Sequence, residues 1–140
     1  MVEPSGYSML VLDTDTIGKL VQVILERRCG DRVRMVHSGG AALQCCAEDP
    51  PDVIWAYWFY GDMHADVFSR RLRATPGIEQ IPLLVWSANS ALGWLTSLYK
   101  AGVTGHLLEP FHPDAFFKAR DAMLAGERYG FERLPPPPEE

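Results

Sequence analysis

Residues 51–60 read PDVIWAYWFY. Pro50 and Pro51 interrupt the chain, and the apolar run behind them predicts a buried strand over Asp52–Trp58. The run ends in aromatic rings, at the end of a strand where open α/β sheets hold their ligands. Outward from this stretch the chain alternates between two periods. Towards the N-terminus, YSMLVL (7–12) predicts a first strand. Ile17, Leu20, Val21, Ile24 and Leu25 then recur at helical spacing, with Gly30 placed as a C-cap. VRMVH (33–37) predicts a second strand, and Ser38 can cap a helix running to about Glu48. Towards the C-terminus, a polar loop with Gly61 leads to a helix carrying Val67, Phe68 and Leu72, which Pro76 and Gly77 end. IPLLVW (81–86) predicts a fourth strand. Ser87–Ser90 offer caps for a helix over Ala91–Ala101, closed by Gly102. VTGHLL (103–108) predicts a fifth strand, and Pro113 suits the first position of a last helix. Five strand–helix alternations predict an α/β domain: a parallel sheet with helices on both faces, a three-layer α/β/α sandwich.

The chain has 140 residues, 47% hydrophobic and 22% charged, which fits one domain with a real core. The formal net charge of −5 argues against a nucleic-acid binder. Glu26, Arg27, Arg28 and Asp31 read as a solvated helix end. The N-terminus lacks the basic start and apolar centre of a signal peptide, and Val53–Tyr60 is far too short to span a bilayer. A cytoplasmic protein is expected, with no membrane contact. Three cysteines, Cys29, Cys45 and Cys46, form neither a disulfide framework nor a zinc spacing. Cys29 reads as a thiol at a helix end, and at least one of the other two as a small core residue. Residues 1–130 are expected to form the domain, and 131–140 a proline-rich, flexible, solvated tail.

MLVLDTD at the first strand end and PDVIWAY at the third match the pattern of a known family. So do SRRLRATPGIEQIPLLVWSA and AGVTGHLLEPFHPDAF further on. In this order and spacing, residues 7–127 resemble a response-regulator receiver domain of the CheY-like kind. The resemblance implies a flavodoxin-like sheet of order 2-1-3-4-5 and a cis Glu109–Pro110 bond. It also implies a pocket in which an aspartate accepts a phosphoryl group from a partner histidine kinase. Two acids hold magnesium there, a hydroxyl contacts the phosphoryl oxygens, and a lysine neutralises their charge.

Carried over residue by residue, that pocket is altered. Tyr57 stands at the nucleophile position, and a phenol is neutral at pH 7. Asp13 matches the first acid, but Thr14 stands at the second, with Asp15 one place on. Ser87 matches the hydroxyl. Glu109 replaces the lysine, and two like charges about 4 Å apart repel by about 4 kcal/mol at an effective dielectric of 20. The resemblance thus implies a pseudo-receiver without a phospho-acceptor aspartate. Trp55, Tyr57, Trp58, Phe59, Tyr60 and Trp86 are expected to fill or cover the pocket, each buried ring contributing roughly 1.5–3 kcal/mol.

Other readings compete. Asp13, Asp15, Glu109 and Asp62 offer oxygens suited to Mg²⁺ or Ca²⁺. Against this, Asp15 or Thr14 can cap the first helix while Asp13 bonds nearby backbone. No cofactor is expected. His64 and His106 could ligate or titrate, although such histidines are more often partly exposed loop and strand residues. His106 stands where the family often has a switching Tyr or Phe. Phosphorylation of Tyr57 or Tyr60 has no local support. An enzyme is not expected: there is no glycine-rich phosphate loop and no nucleophile–base set at a recognised spacing. A small-molecule or cation sensor remains the alternative to an interaction module.

The fourth predicted helix carries two apolar stripes: Ala91, Trp94 and Leu98, then Leu92, Leu95 and Tyr99. A helix on a sheet needs one, so something else is expected to cover the second. By the resemblance, helix 4, strand 5 and helix 5 form a partner or homodimer surface. Trp94, Leu98, Tyr99 and His106 are its expected members. Other signalling proteins are the expected partners.

Overall fold

The computed structural model describes residues 6–13, 16–59 and 62–134. Thr14, Asp15 and Tyr60, named above, and positions 135–140 of the expected tail lie outside the described residues.

Five strands and five helices alternate: β1 (Ser8–Leu12), α1 (Thr16–Cys29), β2 (Arg32–Val36), α2 (Gly39–Glu48) and β3 (Val53–Tyr57). There follow α3 (Ala65–Arg73), β4 (Leu83–Ser87), α4 (Leu92–Lys100), β5 (Gly105–Leu108) and α5 (Pro113–Leu124). The sheet is parallel throughout, in the order β2-β1-β3-β4-β5. Helix boundaries follow local chemistry. Ser38 Oγ accepts the Ala41 N–H at 3.0 Å and caps α2. Pro113 opens α5, where no intrahelical donor is needed. Gly30 ends α1 with φ of +73°, a conformation that costs any other residue its Cβ clearance. The expected serine caps of α4 are replaced by Ala91, whose N–H goes to Asn89 Oδ1 at 2.9 Å.

Period-two alternation splits the strands between two cores. Met9, Val11, Val53, Trp55, Leu84, Trp86 and Leu107 face α1 and α5, where Trp55 stacks on Phe116 with centroids 4.8 Å apart. Leu10, Leu12, Ile54, Ala56, Leu83 and Val85 pack on the other face with Phe68 and Leu72 of α3 and Leu95 and Leu98 of α4. Central strands β1, β3 and β4 are buried on both faces, so they carry unbroken apolar runs. Cys46 is fully buried, and burial pushes its thiol up to about 11, with a smaller contribution from Cys45. Arg73 of α3 reaches beneath the sheet and donates to the carbonyls of Gly102, Glu79 and Ile81, pinning two turns together.

Two expectations are corrected. Asp31 is not part of a solvated helix end. It is 5% exposed and accepts two bonds from Arg120 of α5, at 2.7 and 2.8 Å. Its partner lies 89 residues away, so local charge pattern could not reveal it. At the start of the expected tail, Glu132 and Arg133 are exposed, while Phe131 is not solvated. After α5 the chain turns at Gly126 (φ +74°) and returns along the open edge of β5. Phe131 is buried against the α4 side of the core, and Leu134 packs beside it.

Candidate functional site

The strand register brings the altered pocket residues together. Leu12 pairs with Ala56, Tyr57 with Trp86, and Ser87 with Leu108. Asp13, Tyr57, Ser87 and Glu109 therefore come to the carboxyl ends of β1, β3, β4 and β5, where an open α/β sheet places its ligands.

Asp13 is 1% exposed, and its Oδ2 accepts the Gly18 N–H at 2.6 Å, in the first turn of α1. The positive end of the helix holds the carboxylate there. A Cβ at Gly18 would lie 2.5 Å from Asp13 Cβ, so the close approach requires glycine. His37 Nδ1 is 2.8 Å from the Asp13 carbonyl oxygen and ties β2 to the same loop. This is the backbone-bonding role weighed above for Asp13.

Tyr57 is half-buried on the α1/α5 side, its ring 6.1 Å from that of Trp86. Trp55 and Trp86 are fully buried in the core. Trp58 turns the other way and meets Trp94 of α4 edge-on, centroids 6.0 Å apart. Phe59 is 38% exposed. So two of the expected rings fill the core, Tyr57 and Trp58 line the top of the sheet, and Phe59 sits at its rim.

The Ser87 hydroxyl is the centre of a buried polar set that local sequence does not announce. Trp94 Nε1–H donates to Ser87 Oγ at 3.1 Å, and the Asn89 N–H adds a longer bond at 3.4 Å. His106 Nε2 lies 2.7 Å from the same oxygen. A hydroxyl has one proton and two acceptor sites. Ser87 Oγ also reaches the Asn89 carbonyl at 3.3 Å, so the hydroxyl joins the indole, the imidazole and the backbone at position 89 in one polar set. Burial of His106, 4% exposed, lowers its pKa to about 4, which keeps the ring neutral at pH 7. The loop that swings α4 back over the end of β4 and the pairing of β4 with β5 bring these three groups together.

Glu109 follows β5. Its N–H donates to the Ser87 carbonyl at 2.9 Å, and the Glu109–Pro110 bond is cis. Asp62, offered above as a metal ligand, instead caps α2, with Oδ1 and Oδ2 accepting the N–H groups of Gly39 and Gly40 at 2.9 and 3.1 Å. Its pKa is lowered: slight desolvation pushes it up, and the two backbone donors outweigh that. Among the described residues no group of three His, Cys, Asp or Glu side chains converges to hold a metal ion. His64 is exposed, edge-on to Trp58 and Phe59. A cleft of about 340 Å³ remains above the sheet, lined by Trp58, Ser87, Ala88, Asn89 and Trp94.

The expected partner surface is corrected in two of its members. Leu98 is 0% exposed and His106 4%, so neither presents itself to another chain. Leu98 points into the core, and His106 points to Ser87. Trp94 and Tyr99 are half-buried. The second apolar stripe of α4 is covered in part by Phe131, whose ring meets Tyr99 edge-on at 5.5 Å. Leu92 of α4 and Leu108 of β5 stay 48% and 44% exposed. Among the described residues no helix is long and apolar enough to cross a membrane.

No protein-family model matches the chain. A two-component response regulator of rice, Oryza sativa subsp. japonica, is 24% identical over 118 residues. The match covers 83% of this chain but 56% of the rice protein, so the chain spans little more than half the length of that relative. A LuxR-family two-component response regulator from Aurantimonas superposes with a TM-score of 0.81 at 20% identity, over 93% of each chain. The chemotaxis response regulator CheY4 of Vibrio cholerae gives 0.78 at 22% identity, over 86% of this chain and all of that one. Sheet order, parallel pairing and these superpositions agree: the chain has the flavodoxin-like fold of the response-regulator receivers.

Proposed function

We propose that the chain is a pseudo-receiver: a protein-interaction module of bacterial two-component signalling that works without phosphoryl transfer and is not an enzyme. One observation carries this reading. At the position where phosphoryl transfer needs an ionised acid stands Tyr57, and the Ser87 hydroxyl is already bonded to Trp94, His106 and the Asn89 backbone. Glu109 brings negative charge to the place where a cation would offset phosphate, and Asp13 is already held by the start of α1. Its partners are other signalling proteins, met on the α4–β5–α5 side, where Leu92 and Leu108 are exposed. The cytoplasm is the expected place for such a module.

Incubation with acetyl phosphate and Mg²⁺, followed by intact mass, tests the central claim. The expected result is an unmodified chain at every donor concentration. An acid-labile phosphoryl adduct, removed by Asp13→Asn or Asp62→Asn, would overturn it.

A further inference from the structure

The end of the sheet away from the altered pocket holds a second cleft, of about 460 Å³. It lies at the turns that enter β4 and β5, and Arg73, Glu79, Gln80, Thr104 and Arg128 give it its polar side chains. Arg73 is half-buried at the last position of α3. Its Nε–H and Nη1 donors go to the carbonyls of Gly102, Glu79 and Ile81, and Nη2 donates to Thr104 Oγ1 at 3.2 Å. A guanidinium has five N–H donors, so one on Nη2 is left over. Thr104 Oγ1 also accepts the Leu83 N–H at 3.1 Å, and its own proton has no acceptor among the described residues. Arg128 lies over the Tyr99 ring, 4.3 Å from its centroid, and its N–H donors have no acceptor among the described residues. The next residue, Tyr129, is bonded to Thr104 and His106 through its backbone, which fixes Arg128 beside the cleft.

Every acceptor that Arg73 uses is neutral, and among the described residues neither guanidinium is ion-paired with a carboxylate. Burial, and then the charge of Arg128, lower the Arg73 pKa, so the two cations stand close enough to repel. A partly desolvated charge is normally matched by an opposite one. Here two cations converge without a counter-ion, in a chain whose formal net charge is −5. The carbonyl bonds account for Arg73 in its place, but not for a second guanidinium beside it.

We propose that this cleft binds a phosphate-type dianion, with Arg128 as its main ligand and Arg73 and Thr104 each giving one further donor. Two guanidiniums match a dianion in charge, and the planar fork of an arginine takes two oxygens of one phosphate at once. A single carboxylate would match half of that charge. The cleft also leaves room beside the anion for the rest of a small phosphomonoester. An anion held there ties the end of α3 and the turn before β5 to the chain that follows α5. The site is separate from the altered pocket and needs nothing from it.

The full chain is titrated with inorganic phosphate and, separately, with adenosine monophosphate, at an ionic strength held constant with NaCl, and backbone amide NMR shifts are followed. Saturable shifts are expected at Gly102, Thr104 and Tyr129. In Arg128→Gln the apparent Kd should be at least about tenfold weaker. Arg128 is exposed and makes no hydrogen bond among the described residues, so that variant keeps the fold, whereas Arg73→Gln would also free the turns that Arg73 pins. Glu79→Gln removes the only acid of the lining and should tighten binding about two- to threefold. Tighter binding of adenosine monophosphate than of phosphate assigns a phosphomonoester as the ligand, and equal or weaker binding assigns the free anion; both support the site. Shifts that fail to saturate, or that NaCl alone reproduces, would overturn it. So would wild-type affinity in Arg128→Gln, or shifts centred on Asp13 and Ser87 instead. None of these outcomes bears on phosphoryl transfer, and an acetyl-phosphate adduct would refute the reading above while leaving this site standing.

Discussion

His106 and Ser87 sit 2.7 Å apart under the indole of Trp94, both almost fully buried. One is on β5 and the other ends β4, so their bond reports the relation between the two strands and the loop that carries α4. The same hydroxyl holds the loop through Asn89 and the helix through Trp94. A single oxygen therefore fixes strand, loop and helix in one arrangement.

Acid should loosen the polar set before it unfolds the protein. The folded-state pKa of His106 is lowered to about 4 by burial, against about 6.5 in an unfolded chain. Between these values the unfolded state binds more protons, so the contribution of neutral His106 is complete above about pH 6.5 and is lost as pH falls towards 4. The shift corresponds to on the order of 3 kcal/mol. Denaturant midpoints of the wild type and His106→Gln, measured from pH 4 to 7.5, should show a steeper loss for the wild type. Parallel curves would remove the histidine from this role.

Removing the shared oxygen should be more damaging than its size suggests. Ser87→Ala leaves the Trp94 indole N–H and a buried imidazole nitrogen without their partner, at a cost of about 1–3 kcal/mol each. Trp94→Phe keeps the ring packing against Trp58 and loses one bond, so about 1 kcal/mol is expected. Urea unfolding of the two variants checks the order. An equal effect would mean that packing dominates.

The Asp31–Arg120 pair should be costly to break and cheap to replace. Asp31 is fully buried at its side chain and Arg120 is 12% exposed. Arg120→Met leaves a buried carboxylate without its guanidinium, and a loss of about 3–5 kcal/mol is expected. The double variant Asp31→Leu, Arg120→Met should recover much of that loss. Thermal unfolding of the single and double variants gives the coupling directly.

Two glycines at helix starts should respond differently to alanine. At Gly18 the new methyl group meets the root of the Asp13 side chain, which cannot move without the backbone, so a loss of about 1–3 kcal/mol is expected. At Gly39 it meets Cγ, Sδ and Cε of Met63, an unbranched side chain rather than backbone. There the alanine helix preference of roughly 0.5–1 kcal/mol offsets the crowding, and the net change should stay within about 1 kcal/mol. Stability curves for Gly18→Ala and Gly39→Ala decide the point.

Element type and order were legible because each depends on short-range pattern. Apolar runs such as MLVL and DVIWAY read as strands, and helical spacing from Ile17 to Leu25 reads as a helix, whatever lies across the sheet. Pro113 and Gly30 act through their own backbone geometry and Ser38 through its own hydroxyl, so their positions could be read one residue at a time. The ends of α4 were less clear, because Asn89 satisfies the Ala91 N–H from a loop position rather than as the helix cap.

What the sequence determined by itself was the alternation, the apolar strands and the residue types at the strand ends: a phenol at 57, a hydroxyl at 87, a carboxylate at 109. Those follow from local periodicity and from the chemistry of single side chains. Tertiary structure alone decided their commitments. Ser87 found Trp94 and His106, Asp31 found Arg120, and Phe131 found the flank of α4. The physical reason is range. A buried polar group or ring is stabilised by whichever partner the fold carries to it, and that partner can lie 19 or 89 residues away, beyond any spacing rule.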